Sequence, residues 1–220
     1  MTLEIDNVEL NFKEKRILNG VYLKGETGKV TSILGSNGCG KSCLLNIIFG
    51  SLKPKYKLIR LDNKPIIKPL YRTKSVAYLP QYHFIPKLMK LNMVFKMFNV
   101  NWYDFIIYFE GFKNHKNKKF NNLSGGERRI IETYIILRSQ RKIVLLDEPF
   151  SHLAPLQIET FKGIILEEKH HKVIIVTDHM YQHIIDVSDN LYLIKNGHTK
   201  LIKDLKELEV YKYLNMGSLQ

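Results

Sequence analysis

Between residues 3 and 12 the apolar positions fall at 3, 5, 8, 10 and 12, the two-residue period of a strand with one break. The break lies at Asp6-Asn7, where an extra residue predicts a β-bulge. A charged turn over Lys13-Glu14-Lys15-Arg16 leads into a second strand over 17–26, and Gly25-Glu26-Thr27-Gly28 turns the chain into Val30-Thr31-Ser32-Ile33-Leu34. That run is β-branched and apolar, as a strand buried on both faces requires. Residues 43–49 begin a helix that Gly50 is placed to end. A short strand over 57–61, a turn at Asp62-Asn63 and a buried strand over 75–79, stopped by Pro80, follow.

From 82 to 122 the composition shifts to aromatic, methionine, lysine and asparagine residues. Apolar positions at 88, 91, 94, 95 and 98 predict a helix over 88–100, and a second is expected over 102–112. The stretch reads as a small helical insert whose Phe and Met stripe forms its own core, though such a stripe also suits a surface that receives a partner helix. Regular alternation then returns, with helices over 128–138, 156–169 and 180–187 between strands over 142–146, 173–177 and 191–195. Asn196-Gly197 predicts a hairpin to a strand over 198–202, and residues 203–215 a closing helix. An antiparallel start followed by alternating strands and helices is an α/β pattern with a mainly parallel sheet. The expected organisation is a single domain over 1–220, its core at about 1–81 and 123–220 and its insert at about 82–122.

Composition narrows the setting. A hydrophobic fraction of 45% supports a real core, yet no run approaches the roughly 18–20 apolar residues that span a membrane. The opening Met1-Thr2-Leu3-Glu4-Ile5-Asp6 has neither the basic nor the apolar segment of a secretory leader. A cytoplasmic protein, peripheral to a membrane, is expected. The two cysteines, Cys39 and Cys43, form no zinc-like cluster and read as small residues in tight places. Lys and Arg number 34 against 21 Asp and Glu, a net charge of +13. Such a balance favours anionic membrane surfaces or nucleic acid, but the basic residues are mostly dispersed, and a lysine-rich surface needs no partner. The main cluster, residues 113–119, has no interleaved aromatic residue on which a base would stack.

Three stretches carry candidate chemistry. Gly35-Ser36-Asn37-Gly38-Cys39-Gly40-Lys41-Ser42 fits G-x-x-x-x-G-K-[ST] without a gap, between a predicted strand and a predicted helix that Cys43 opens. Its glycines let backbone N–H groups turn inward around phosphate oxygens, and the helix N-terminus adds positive potential. Lys41 would reach the β- and γ-phosphates of a nucleotide and the Ser42 hydroxyl would ligate Mg²⁺. Ile143-Val144-Leu145-Leu146 is an apolar strand ending in Asp147-Glu148. At that end of a phosphate-loop sheet Asp147 would hold Mg²⁺ and Glu148 would polarise an attacking water. Leu123-Ser124-Gly125-Gly126-Glu127 opens a helix, with Ser124 as cap and Glu127 completing a capping box. A cap does not explain two adjacent glycines, which cost helix stability unless something approaches the backbone closely. A second phosphate is the obvious candidate.

With these three motifs the chain resembles the ATP-binding cassette (ABC) family through nearly all its length, Leu123 to Glu127 matching the family's signature motif. The resemblance implies the phosphate-loop ATPase cassette fold, with a RecA-like core and a helical insert, and ATP with Mg²⁺ as ligands. It implies that Phe12 stacks on adenine, that Gln81 contacts Mg²⁺ and senses a transmembrane partner, and that His179 contacts the γ-phosphate. It further implies a head-to-tail dimer, homomeric or heteromeric, in which Ser124, Gly125 and Gly126 of one cassette cover the ATP held by Lys41 of the other. Such a pair would hydrolyse ATP to drive a permease on a separate chain, whose helices would dock beside Gln81 and the insert. Arg128-Arg129 and Asp147-Glu148-Pro149-Phe150 are similar to the ATPases of lipopolysaccharide export and branched-chain amino-acid uptake.

The chain departs from the family pattern at Ser151-His152-Leu153-Ala154, where Ala154 replaces an expected Asp that crosses the dimer interface. That leaves ATP binding expected and the hydrolysis rate open. Two other readings stand beside the transporter subunit. One is a cassette acting on nucleic acid or ribosomes, which the charge supports but a single uninterrupted cassette does not. The other is a weakly hydrolysing regulatory subunit, which Ala154 motivates.

Overall fold

The computed structural model describes residues 1–218. Two sheets form its frame. Strands β1 (Thr2–Phe12), β2 (Lys15–Glu26), β4 (Tyr56–Leu61) and β5 (Lys64–Pro65) make an antiparallel sheet in the order β2-β1-β4-β5. The larger sheet runs β10-β9-β3-β8-β7-β6, from β3 (Val30–Leu34), β6 (Val76–Leu79), β7 (Ile143–Asp147), β8 (Val173–Thr177), β9 (Asn190–Lys195) and β10 (His198–Ile202). All of its pairings are parallel except the β9–β10 hairpin at Asn196-Gly197.

The apolar runs of the central strands serve two cores at once. Val144, Leu146, Ile174 and Val176 face one layer, while Ile143, Leu145, Val173 and Ile175 face the other. This is the two-residue side-chain period applied to a sheet covered on both sides. The first layer holds α2 (Leu91–Phe98), α3 (Trp102–Tyr108), α4 (Gly125–Arg138), α5 (Pro155–Glu168) and α6 (Tyr181–Val187). The second holds α1 (Lys41–Phe49) and the inner face of the antiparallel sheet. Between these layers the C-terminal ends of β3, β6, β7 and β8 open on one edge of the molecule, where α/β sheets bind ligands.

Four details depart from the pattern read along the chain. The first hairpin turns over Lys13-Glu14 alone, because Lys15 pairs with Phe12 and Arg16 with Asn11. The two-residue β5, with Lys64 opposite Leu61, is too short to leave a periodic trace. In the insert the rings of Phe95 and Phe105 pack on Tyr134 of α4, at centroid distances of 6.4 and 5.0 Å. Met93 and Met97 instead stay 57% and 58% exposed, so the insert shares the α4 core through its aromatic residues and leaves these two methionines outside. Residues 203–215 form only a four-residue helix, α7 (Glu207–Val210). Lys212 turns left-handed (φ 51°), and the N–H groups of Tyr213 and Leu214 both donate to the Leu208 carbonyl. This reversal buries Leu208 and Leu214 together, which a continuous helix would not do. No helix of the described residues is long and apolar enough to cross a membrane.

Candidate functional site

The loop after β3 enters α1 through Gly38 (φ 77°) and Gly40 (φ 107°), left-handed positions that a glycine adopts without strain. Lys41 is buried and curls back over this loop, its Nζ donating to the carbonyls of Gly35 (2.6 Å) and Ser36 (3.3 Å). Beside it lies a cleft of about 570 Å³, lined by Asn37, Gly38, Gly40, Lys41, Ser42 and Cys43 of the loop and its helix. Phe12, half exposed at the end of β1, forms a second wall with Ile17. Gln81 enters just after β6, Glu148 just after β7 and His179 just after β8. Residues from five places in the chain thus meet around one opening. Ser36 and Cys39 face elsewhere, into a small hollow of about 160 Å³ shared with Tyr213, while Gly35 contributes its carbonyl to Lys41. Burial pushes both the Cys39 and Cys43 thiols up from their ordinary values, so neither is an activated nucleophile.

The acids at the end of β7 occupy different environments. Asp147 is almost wholly buried, and its carboxylate accepts from Thr177 Oγ1 (2.7 Å) and the Tyr78 hydroxyl (3.2 Å). Burial raises its pKa, opposed by hydrogen bonds from Thr177, Ser42 and Tyr78. A carboxylate in contact with the Ser42 hydroxyl is an oxygen donor set suited to a hard divalent cation. The next residue leaves the strand in a left-handed conformation (Glu148, φ 51°), which for a non-glycine residue is a strained position. That turn is held by the Glu148 N–H donating to the Thr177 carbonyl (2.8 Å). It swings the Glu148 carboxylate into the cleft, where Ser151 Oγ donates to it (3.3 Å) and His179 Nδ1 stands 3.5 Å away. Asp178, fully buried, accepts from the N–H groups of Phe150 and Met180 and so anchors the turn that presents His179.

Two buried residues of α4 complete the site; neither is read as a site residue from the sequence, where Arg129 carries only a likeness to particular family members. Arg129, only 3% exposed, donates from Nη1 to the Pro80 carbonyl (2.6 Å) and from Nη2 to the carbonyls of Asp147 (2.5 Å) and Glu148 (2.7 Å). One guanidinium therefore ties the segment bearing Gln81 to the segment bearing Glu148. Glu132, fully buried, accepts from His83 Nδ1 (2.8 Å) and the Phe84 N–H (2.9 Å), clamping the same stretch after β6. Their only sequence signal as site residues is position, at four and seven residues after Gly125 on the helix's inner face.

Ser124, Gly125 and Gly126 do not line the cleft. The capping box forms as expected, with Ser124 Oγ accepting from the Glu127 N–H (3.2 Å) and the Glu127 carboxylate from the Ser124 N–H (2.7 Å). The two glycines differ. A Cβ on Gly126 would lie 3.0 Å from the His152 carbonyl, so close packing within the chain accounts for it. A Cβ on Gly125 would meet nothing within 4 Å. Its bareness has no explanation among the described residues. At the start of α5, Ala154 occupies the N-cap with no side-chain acceptor to offer, leaving its own N–H to Gln157 Oε1 (3.0 Å). Replacing Ala154 with Asp should restore a cap and stabilise the fold by about 1 kcal/mol, measurable as a raised urea midpoint.

Comparison with known proteins agrees with this geometry. The protein family described as ABC transporter matches residues 18–151. An ABC transporter ATP-binding protein of Methanocaldococcus jannaschii is 31% identical over 90% of this chain and 84% of its own length. The lipopolysaccharide export system ATP-binding protein LptB of Haemophilus influenzae is 25% identical over 89% of this chain and 87% of its own. Among solved structures, an ATP-binding subunit of an ABC transporter superposes with a TM-score of 0.84 at 18% identity, covering 100% of this chain and 96% of that one.

Proposed function

The chain belongs to the ABC transporter family of ATP-binding proteins, and from that premise we propose that it powers a membrane permease carried on a separate chain. Membership implies ATP binding and hydrolysis. In the proposed cycle Lys41 and the loop N–H groups of residues 35–42 hold the triphosphate, and Phe12 packs on the base. Ser42, Asp147 and Gln81 hold Mg²⁺, which supplies neutralisation of phosphate charge when bound. Glu148 accepts a proton from the attacking water and His179 donates to the γ-phosphate. Two cassettes, identical or not, close head to tail so that Ser124, Gly125 and Gly126 of one cover the nucleotide of the other.

The observation that carries this reading is the separation of Ser124–Gly126 from the cleft, joined to an exposed Gly125 that nothing among the described residues requires to be bare. A lid provided in trans accounts for both. The expected docking place for the permease is a groove of about 470 Å³ between core and insert, lined by Phe49, Tyr78, Phe84, Met97 and Phe98. It is apolar enough to receive a helix, and it lies next to the segment after β6 that Arg129 and Glu132 hold. This would place the protein at the cytoplasmic face of a membrane. Relatives named for lipopolysaccharide export and for sulfate import leave the direction of transport open. Ala154 supports a slower intrinsic turnover, or pairing with a cassette that supplies the missing acid.

Affinity purification of the full chain from detergent-extracted native membranes should retain an integral membrane protein, and reconstituting the two should raise ATP turnover. Recovery with ribosomes or nucleic acid, and no membrane partner, would move the assignment to the other branch of the family.

A further inference from the structure

The Asp147 carboxylate is held at both of its oxygens by side chains of this protein. Thr177 Oγ1 donates to Oδ1 (2.7 Å) and the Tyr78 hydroxyl to Oδ2 (3.2 Å). Tyr78 arrives there by strand register. On β6 it stands opposite Leu145 of β7, so Asp147, two residues further on, projects from the same face of the sheet. The direction of the phenol proton is fixed from α1. Asn46 Nδ2 donates to the Ser42 carbonyl (2.8 Å) and to the Tyr78 hydroxyl (3.1 Å), while Asn46 Oδ1 accepts from Ser51 Oγ (2.7 Å). A carbonyl only accepts, which sets the amide this way round, and a phenol that accepts from Asn46 has its own hydrogen left for Asp147. The ring is placed by packing on Phe49, at a centroid distance of 5.4 Å. A relay therefore runs from α1, which carries Ser42, through Tyr78 to the acid that ends β7.

We propose that Tyr78 is a positioning residue for Mg²⁺, its hydroxyl fixing the Asp147 carboxylate so that a free lone pair faces the cation beside the Ser42 hydroxyl. The proposal rests on the reading above of Asp147 and Ser42 as Mg²⁺ ligands. With Thr177 alone the carboxylate would pivot about a single hydrogen bond. A second donor on the other oxygen sets its plane, and each oxygen keeps lone-pair capacity for a further partner. Hydrogen bonds of this outer kind orient a ligating carboxylate, and losing one weakens metal binding by about 10–100-fold. Because Asn46 bonds both the Ser42 backbone and the Tyr78 hydroxyl, the two prospective ligands are referred to one common amide. Tyr78 itself stays outside the reaction, since its hydroxyl touches Asp147 and not the nucleotide loop.

The test is calorimetric titration of the full chain with a non-hydrolysable ATP analogue, once in EDTA and once at saturating Mg²⁺. The ratio of the two affinities reads the metal separately from the nucleotide and needs no turnover. Tyr78→Phe keeps the ring on Phe49 and should lower that ratio about tenfold, with the affinity in EDTA unchanged. Tyr71→Phe is the control. Its ring packs on Phe49 as well, at 5.6 Å, but its hydroxyl accepts from Arg72 Nε, and its ratio should match the wild type. A Tyr78→Phe ratio equal to or above the wild-type value, a loss of affinity in EDTA as large as that in Mg²⁺, or the same fall in Tyr71→Phe overturns the proposal. A wild-type chain that binds the analogue equally with and without Mg²⁺ overturns the Mg²⁺ assignment of Asp147 and Ser42, and the proposal with it.

Discussion

Glu148→Gln is expected to lower ATP turnover by at least about 100-fold, the contribution of a positioned general base, while ATP binding and the fold persist. The reasoning starts from the backbone. Glu148 sits at a strained left-handed turn whose N–H is taken by Thr177 and whose carbonyl accepts from Arg129. Neither contact uses the side chain, so the amide leaves the turn in place. Gln also keeps an oxygen for the Ser151 hydroxyl and matches Glu in shape. What disappears is the carboxylate that would take a proton from water at the γ-phosphate. If two cassettes close around ATP and reopen on cleavage, a variant that binds without cleaving should accumulate closed. Size-exclusion chromatography with light scattering should then find a dimer at saturating MgATP and a monomer with MgADP. A monomer under both conditions would remove the trans-lid mechanism, and unchanged turnover would remove Glu148 as base.

How far this site could be read along the chain depends on how local each constraint is. The phosphate loop, the acids ending β7 and the cap at Ser124 are contiguous, and each needs only its flanking strand or helix to be interpretable. The hairpin at Asn196-Gly197 and the bulge at Asp6-Asn7 were legible for the same reason. Arg129 was not. In sequence it continues a charged run after Gly126 and looks solvated, yet its burial is fixed by carbonyls 49, 18 and 19 residues away. Glu132 has the same property, its partners lying 48 and 49 residues upstream. In the insert, periodicity marks Leu91, Val94 and Phe95 as the inner face and leaves Met93 and Met97 off it, but it does not say that this face meets Tyr134 of α4. The closing helix came out short because Lys212 turns left-handed and brings together Leu208 and Leu214, which a continuous helix would set on different sides of its axis, and nothing local in the sequence marks that reversal.

Gly125 offers an outcome in which stability and function move in opposite directions. The residue is the first of α4, exposed, with open space where a Cβ would go. In a helix Ala is preferred to Gly by roughly 0.5–1 kcal/mol, less at the first position than in the interior. Gly125→Ala should therefore leave the isolated chain as stable as before or slightly more so, read from urea unfolding. A methyl group there would nonetheless stand where the phosphates of the opposite cassette must meet bare N–H groups at a helix N-terminus. Combined with Glu148→Gln, it should reduce the ATP-dependent dimer by at least about tenfold in apparent affinity, the loss of roughly one good charge-assisted hydrogen bond. Gly126→Ala would not separate the two effects, since its Cβ would press on the His152 carbonyl within the same chain. If Gly125→Ala stabilises the monomer and leaves dimerisation untouched, the bare backbone serves no ligand in trans. If it destabilises the monomer, some intrachain contact is being made that open space does not predict. Loss of the dimer from a fully folded, equally stable monomer is the result that only a composite site explains.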